Sequence, residues 1–386
     1  MDFGFTEEQK MLKTNVRDFV EKEVIPYASE RDRQGPLTRE ETVSYIKKLM
    51  PFGFYNGMLS QEFGGLGMDY KTHGMIYEEL AYGWASLAGT INLAEILCVP
   101  FLDEDKQKKY GPRIVAGELV HSAAITEPNA GSNTAAIETT AILDGDHYVI
   151  NGTKMWISDG TISDICLLLA TTDKAQGPLA MSLFLVDREE SPYQARELHK
   201  LGLRAFPTAE LVFDNCRIPK ENNLMLDQGL EGGYKWMMKA FDQVRPQWAL
   251  HVAGISQAAI DASVKYARER IQFGKPIGSF QLVQNMIYEM VAETEASRLL
   301  AYRALDLIDR GERCRMESSL AKGYATEAAV RVTSMAIEIH GAMGLSEEHP
   351  VERYFRDARC WTIPDGTTEV QKLIVGREML KISAYV

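Results

Sequence analysis

The chain has 386 residues, enough for a large core and two or three packed units. Its 45% hydrophobic and 25% charged residues, with 14 prolines, match an ordinary globular protein. A formal charge of −12 argues against the clustered basic surface that nucleic acid requires, although a few local arginines suffice for an anionic ligand.

The five cysteines (Cys98, Cys166, Cys216, Cys314, Cys360) are odd in number, far apart and form no CxxC pair. That usage fits core thiols in a reducing compartment, not a disulfide framework. The histidines show neither HxxxH nor HExxH spacing, so no metal is expected. The start, Met1-Asp2-Phe3-Gly4-Phe5-Thr6-Glu7-Glu8-Gln9, reads as a helix cap rather than a leader peptide. No apolar run reaches membrane-spanning length. The expectation is a soluble, cytoplasmic protein.

Residues 1–118 read as helical. Thr6 to Gln9 caps a helix whose apolar positions Met11, Leu12, Val16, Phe19 and Val20 recur at three- and four-residue spacing. Ser60 to Tyr70, with Phe63-Gly64-Gly65-Leu66-Gly67, reads as a loop, and helices resume from His73 towards Leu102. Over 119–228 the period changes. His147–Ile150, Met155–Ile157, Ile165–Ala170, Met181–Val186 and Ala209–Phe213 are short, β-branched or aromatic runs broken by Gly, Asp, Asn and Pro. They predict a small β-barrel or sandwich. Over 229–386 long helical patterns return, giving an α+β chain ordered helices, strands, helices. A Rossmann fold is excluded, since no strand leads into GxGxxG and no βαβ alternation exists.

Six motifs, in order along almost the whole chain, resemble the acyl-CoA dehydrogenase family. They are Ile125-Thr126-Glu127-Pro128-Asn129-Ala130-Gly131-Ser132-Asn133, Asn151-Gly152-Thr153-Lys154-Met155-Trp156-Ile157-Ser158, and Arg268 to Ile277 with Phe280-Gln281. Then follow Ile339-His340-Gly341-Ala342-Met343-Gly344, Tyr354-Phe355-Arg356-Asp357-Ala358 and the segment Ile363-Pro364-Asp365-Gly366-Thr367-Thr368-Glu369-Val370-Gln371. The resemblance implies an N-terminal helical domain, a middle β-domain and a C-terminal four-helix bundle. It also implies a homotetramer with one FAD per subunit, an acyl-CoA substrate and electron-transferring flavoprotein as electron acceptor. In the reaction it implies, a proton leaves the α-carbon and a hydride passes from the β-carbon to flavin N5.

The same resemblance distributes the site residues. Ile125, Thr126, Trp156 and Ser158 form the wall against the flavin ring, where short hydroxyls, backbone N–H groups and an indole face suit an isoalloxazine. The bland alternative makes Trp156 strand core. Arg270, Phe273 and Gln281 meet the FAD of a neighbouring subunit, the guanidinium on pyrophosphate and the ring on adenine, against the alternative of an exposed helix end. Glu338, Gly341, Ala342, Thr367 and Glu369 complete the cofactor set. Ala342 stands where glycine is common, and Glu338 and Glu369 stand where relatives often have glutamine, a poor exchange beside phosphates. Ser132, Phe241, Asp242, Arg245 and Gly366 fall at substrate-holding positions, with a plain helix ion pair as the alternative for Asp242 and Arg245.

Asp365 falls where relatives carry the glutamate that removes the α-proton. Such a base must be desolvated, and the thioester carbonyl polarised by fixed donors; in the family one donor is the base residue's own N–H. Aspartate draws the carboxylate back by about 1.5 Å, and a misplacement of about 1 Å can cost about 10²-fold in rate. The shorter base, with Pro364 widening the pocket and fixing local φ, points to a bulky, branched or alicyclic acyl group. Val244, where some relatives place their base, cannot serve. A helix N-cap is the alternative role for Asp365. Glu95 offers a second carboxylate if it faces the acyl pocket rather than solvent. Two other readings stay open: a nitroalkane-oxidase-like flavoenzyme with an aspartate base, and a flavin-bound, non-catalytic partner subunit.

Overall fold

The computed structural model describes residues 4–91, 102–225 and 232–384. Its first helix, α1 (Glu7–Glu23), opens with the expected capping box, Thr6 and Gln9 each accepting the other's backbone N–H. Val16 and Val20 bury completely, whereas Met11 turns to solvent. Then follow α2 (Ile25–Gln34), α3 (Arg39–Leu49), α4 (Tyr70–Gly83), α5 (Ala85–Thr90) and α6 (Glu104–Val115). Glu95 lies outside the described residues.

Seven strands form one curled sheet: β1 (His121–Ala124), β2 (Thr140–Asp144), β3 (His147–Ser158), β4 (Ile165–Thr171), β5 (Met181–Asp187), β6 (Gln194–Glu197) and β7 (Thr208–Pro219). Their order is β1-β4-β2-β3-β7-β6, with β5 on the other edge of β4. Two of the apolar runs read separately are one strand: Met155–Ile157 continues His147–Ile150 across an irregular register in β3. Three strands have no comparable apolar signal. β1 is His-Ser-Ala-Ala, β2 faces solvent over much of its length, and β6 is polar.

The C-terminal part is built on α7 (Gly232–Glu269), which packs against α4, α8 (Gln281–Asp309) and α9 (Arg315–His340). Between α7 and α8 lies a short hairpin, β8 (Ile271–Gln272) and β9 (Lys275–Pro276); α10 (Val351–Cys360) and α11 (Thr368–Leu380) close the chain. Gly254 lets α7 approach α4 closely, since a Cβ there would meet the Glu78 carbonyl at 2.3 Å. Pro246 interrupts the α7 ladder and releases the Asp242 carbonyl, which accepts from Ser318 Oγ of α9 at 2.6 Å.

The Tyr354–Ala358 motif clasps the three parts together. Arg356 pairs with Glu352 at 2.6 Å and with Asp32 of α2 at 3.2 Å. Asp357 accepts the Leu203 N–H from the middle domain at 2.6 Å. Burial, with the Asp32 carboxylate nearby, pushes the Asp357 carboxyl above its usual range.

Candidate active site

The turn between α10 and α11 carries Asp365, and side chains from three helices hold its main chain. Lys322 of α9, fully buried, donates to the Pro364 and Gly366 carbonyls, both at 2.6 Å. Arg245 Nε of α7 donates to the Asp365 carbonyl at 3.1 Å, and Gln371 Nε2 of α11 donates to the Asp365 and Gly366 carbonyls at 3.2 and 2.8 Å. Burial lowers the Lys322 ammonium to about 7, a shift that Arg245 adds to and that Asp365 and Glu369 oppose. Gly366 at φ 92° closes the turn, and a side chain there would strike Gln371 Nε2 at 2.7 Å.

Asp365 itself adopts φ 54°, in the left-handed region. Its carboxylate does not cap α11. Thr367 is the N-cap, its hydroxyl accepting the Val370 N–H at 3.4 Å, which overturns the capping alternative. The Asp365 carboxylate turns inward instead, and Oδ2 accepts the indole N–H of Trp248 on α7. Among the described residues the Asp365 backbone N–H meets no acceptor. Trp248 stacks on Trp361 with ring centres 4.5 Å apart, and Tyr77 and His251 complete the aromatic wall at 5.9 and 6.1 Å from it. Burial raises the Tyr77 hydroxyl well above its usual range, and the Asp365 and Asp159 carboxylates add to that. Burial lowers the His251 imidazole to about 3, so the wall beside the carboxylate is uncharged.

The middle-domain residues form a second cluster. Glu127 and Lys154 are a buried pair at 2.8 Å. Lys154 also donates to the Ile125 carbonyl at 2.9 Å, while Glu127 accepts the Glu138 and Thr139 N–H groups at 2.6 and 2.9 Å. Burial would raise the Glu127 carboxyl, but Lys154 and these donors bring it below its usual range. The Met155 N–H reaches the Thr126 carbonyl at 2.9 Å, so the 125–127 loop lies along β3. A register shift between Lys154 and Ile157 then throws Trp156 outward at φ 62°. It is 57% exposed, so it is not strand core. An exposed indole on a strained bulge beside Thr126 and Ser158 fits a flat aromatic ring system such as a flavin.

Arg270, Phe273 and Gln281 sit together at the β8–β9 hairpin and the start of α8, all exposed, with Phe273 92% exposed at the tip. Gly341 and Ala342, at the end of α9, and Glu338 are exposed too, as is Glu369 in the first turn of α11. Among the described residues no contact joins this group to Trp156 within one copy of the chain. On the substrate side, Ser132 is exposed and Phe241 half-buried. Arg245 is 5% exposed and pairs with Asp242 at 3.6 Å, and Asp242 also meets Arg315 at 3.1 Å. The Asp242–Arg245 pair is therefore not a solvated helix-surface pair, and Arg245 is engaged in holding the Asp365 main chain.

Sequence reading missed Lys322, Trp248 and Trp361. Lys322 is marked by an isolated lysine in a small-residue stretch, Ser318-Ser319-Leu320-Ala321-Lys322-Gly323, whereas two tryptophans 113 positions apart give no local signal.

The acyl-CoA dehydrogenase N-terminal, middle and C-terminal domain families match residues 6–118, 122–216 and 231–380. The chain belongs to the acyl-CoA dehydrogenase family. It is 37% identical to a glutaryl-CoA dehydrogenase of Desulfococcus multivorans over 99% of both chains. It is 34% identical to a subunit of the caffeyl-CoA reductase–Etf complex of Acetobacterium woodii, over 98% of this chain and 99% of that one. Among solved structures, butyryl-CoA dehydrogenase from Megasphaera elsdenii superposes with a TM-score of 0.92 at 32% identity, covering 98% of this chain and 100% of that one. A glutaryl-CoA dehydrogenase from Mycobacterium smegmatis in complex with FADH2 gives 0.91 at 25% identity, over 99% and 97%. The chain is thus an oxidoreductase of the acyl-CoA dehydrogenase class.

Proposed function

We propose that this family member is a FAD-dependent dehydrogenase of a bulky, branched or alicyclic acyl-CoA, with Asp365 as the base. The observation that carries the reading is the Asp365 turn. Its carboxylate faces an uncharged aromatic wall, its carbonyl is taken by Arg245 and Gln371, and its N–H is left to polarise a thioester carbonyl. Asp365 takes the α-proton, and the carbon's electron pair spreads onto the thioester oxygen that the N–H holds. Bound FAD supplies the acceptor for the β-hydride.

Trp156, Thr126 and Ser158, with Ile125, would hold the flavin ring. Arg270, Phe273, Gln281, Glu338, Gly341 and Ala342 would reach the FAD of a second copy, Thr367 and Glu369 lying at the same end of the substrate turn. Ser132, Phe241, Asp242 and Gly366 would hold the CoA thioester, with Arg245 acting through the turn. The apolar positions exposed on the hairpin and α8, Ile271, Phe273, Leu282 and Tyr288, support a homotetramer that covers them. Among the described residues no helix is long and apolar enough to cross a membrane, in keeping with a cytoplasmic enzyme. The Etf-complex relative supports electron-transferring flavoprotein as the electron partner.

The broad wall of Trp248 on Trp361, next to a short base, favours a wide, ring-shaped acyl group over a slim chain. Anaerobic reduction of the bound flavin by a panel of acyl-CoAs tests this. Cyclohexane- or cyclohexene-carboxyl-CoA should bleach it fastest, and faster bleaching by butyryl- or octanoyl-CoA would sink the substrate assignment.

A further inference from the structure

An aspartate base lacks the reach of a glutamate, so its placement depends more on what grips it. Three groups able to compete for the Asp365 carboxylate are otherwise engaged: the α11 N-terminus is capped by Thr367, Arg245 holds the Asp365 carbonyl, and Lys322 holds the Pro364 and Gly366 carbonyls. Among the described residues, the donor that meets the carboxylate is neutral: the indole N–H of Trp248, on Oδ2. Trp248 comes from α7, across the pocket from the turn, and is 9% exposed. Its ring cannot swing, because Trp361 stacks on it at 26° and Tyr77 and His251 close two further sides. A rigid donor on a short side chain leaves the carboxylate few orientations.

We infer that Trp248 is the positioning residue of the base: its N–H anchors Oδ2 and leaves Oδ1 as the oxygen that receives the α-proton. In the step, the Cα–H bond breaks, an O–H bond forms on Oδ1, and the electron pair stays with the substrate. A neutral donor suits this task better than a cation, because a salt-bridged carboxylate would be a weak base. The long reach of a glutamate is replaced by a fixed hydrogen bond from the opposite wall. The inference rests on Asp365 being the base.

The test uses the full-length, FAD-loaded protein labelled with 15N-tryptophan. The indole N–H signal absent from Trp248→Phe is that of Trp248. Asp365→Asn should move that signal upfield while leaving the other indole signals in place. In stopped-flow measurements at saturating acyl-CoA, Trp248→Phe should slow flavin reduction about 10²-fold with little change in Kd. Trp248→His, which restores a ring N–H, should recover part of the rate. A Trp248 signal indifferent to Asp365→Asn overturns the inference; where Trp248→Phe folds poorly, Trp248→His, which lacks the same signal, assigns it. So does a Trp248→Phe protein that reduces flavin at the wild-type rate while Asp365→Asn does not. If Asp365→Asn itself reduces flavin normally, the base assignment falls first and the inference with it.

Discussion

Asp365 owes its orientation to a left-handed backbone conformation that aspartate tolerates better than most residues, followed by a glycine that needs one. Neither position would hold without outside donors, because the turn exposes three consecutive carbonyls, Pro364, Asp365 and Gly366, to the protein interior. Lys322 satisfies two of them, and whether charged or neutral its amino group keeps protons to donate. Lys322→Met fills the same space but leaves the Pro364 carbonyl unpaired and the Gly366 carbonyl to Gln371 alone, which should cost about 1–3 kcal/mol of stability in urea unfolding. Where the variant is folded and FAD-loaded, flavin reduction should fall about 10²-fold, because the turn carries the proposed base. Unchanged stability with unchanged rate would show that the turn holds itself.

At the level of elements, α4 and α7 meet through a layer that contains two fully buried imidazoles, His73 and His251. Burial lowers His73 to about 4, with Gln247 opposing in part, and lowers His251 to about 3. Both are neutral in the folded chain and take up protons near pH 6.5 when unfolded. The unfolded state therefore binds more protons below pH 6.5, and stability held above that pH is lost as pH falls towards 4 and 3. Each histidine adds about 1.4 kcal/mol per pH unit to the slope in that window. Urea midpoints measured from pH 7 to 4 should follow it, and His251→Phe should remove about half of the histidine contribution.

The elements were unevenly legible. The α1 cap and the Val16–Val20 stripe follow from spacing, and β4 and β5 from solid apolar runs. β1, β2 and β6 were not, because their pairing is set by neighbours across the sheet rather than by their own side chains. Around the site, Asp365 and Trp156 were marked by local sequence. The Trp248 and Lys322 contacts span 117 and 42 or 44 positions and exist only once the helices pack.

At the scale of the whole molecule, one copy leaves the hairpin tip and one face of α8 apolar and open, with Phe273 92% and Leu282 80% exposed. A neighbouring copy that covers this face would also receive Arg270 and Phe273 near its flavin. Phe273→Ser should then do two things together: lower the mass seen by light scattering, and reduce the FAD retained after gel filtration. Loss of neither would return the hairpin to a plain surface feature. The clasp of Asp32, Arg356 and Asp357 does the opposite job, fixing the N-terminal and middle parts to α10, the helix that leads into the Asp365 turn. All of this scaffolding surrounds the turn that carries Asp365, the proposed base. The most direct measurement is wash-out of deuterium from the α-carbon of a labelled acyl-CoA bound to the FAD-loaded protein, followed by mass spectrometry. Wild type should exchange the label into solvent, with Asp365→Asn slower by about 10²–10⁴-fold at unchanged acyl-CoA affinity. Exchange at the wild-type rate in Asp365→Asn would contradict the assignment of Asp365 as the base.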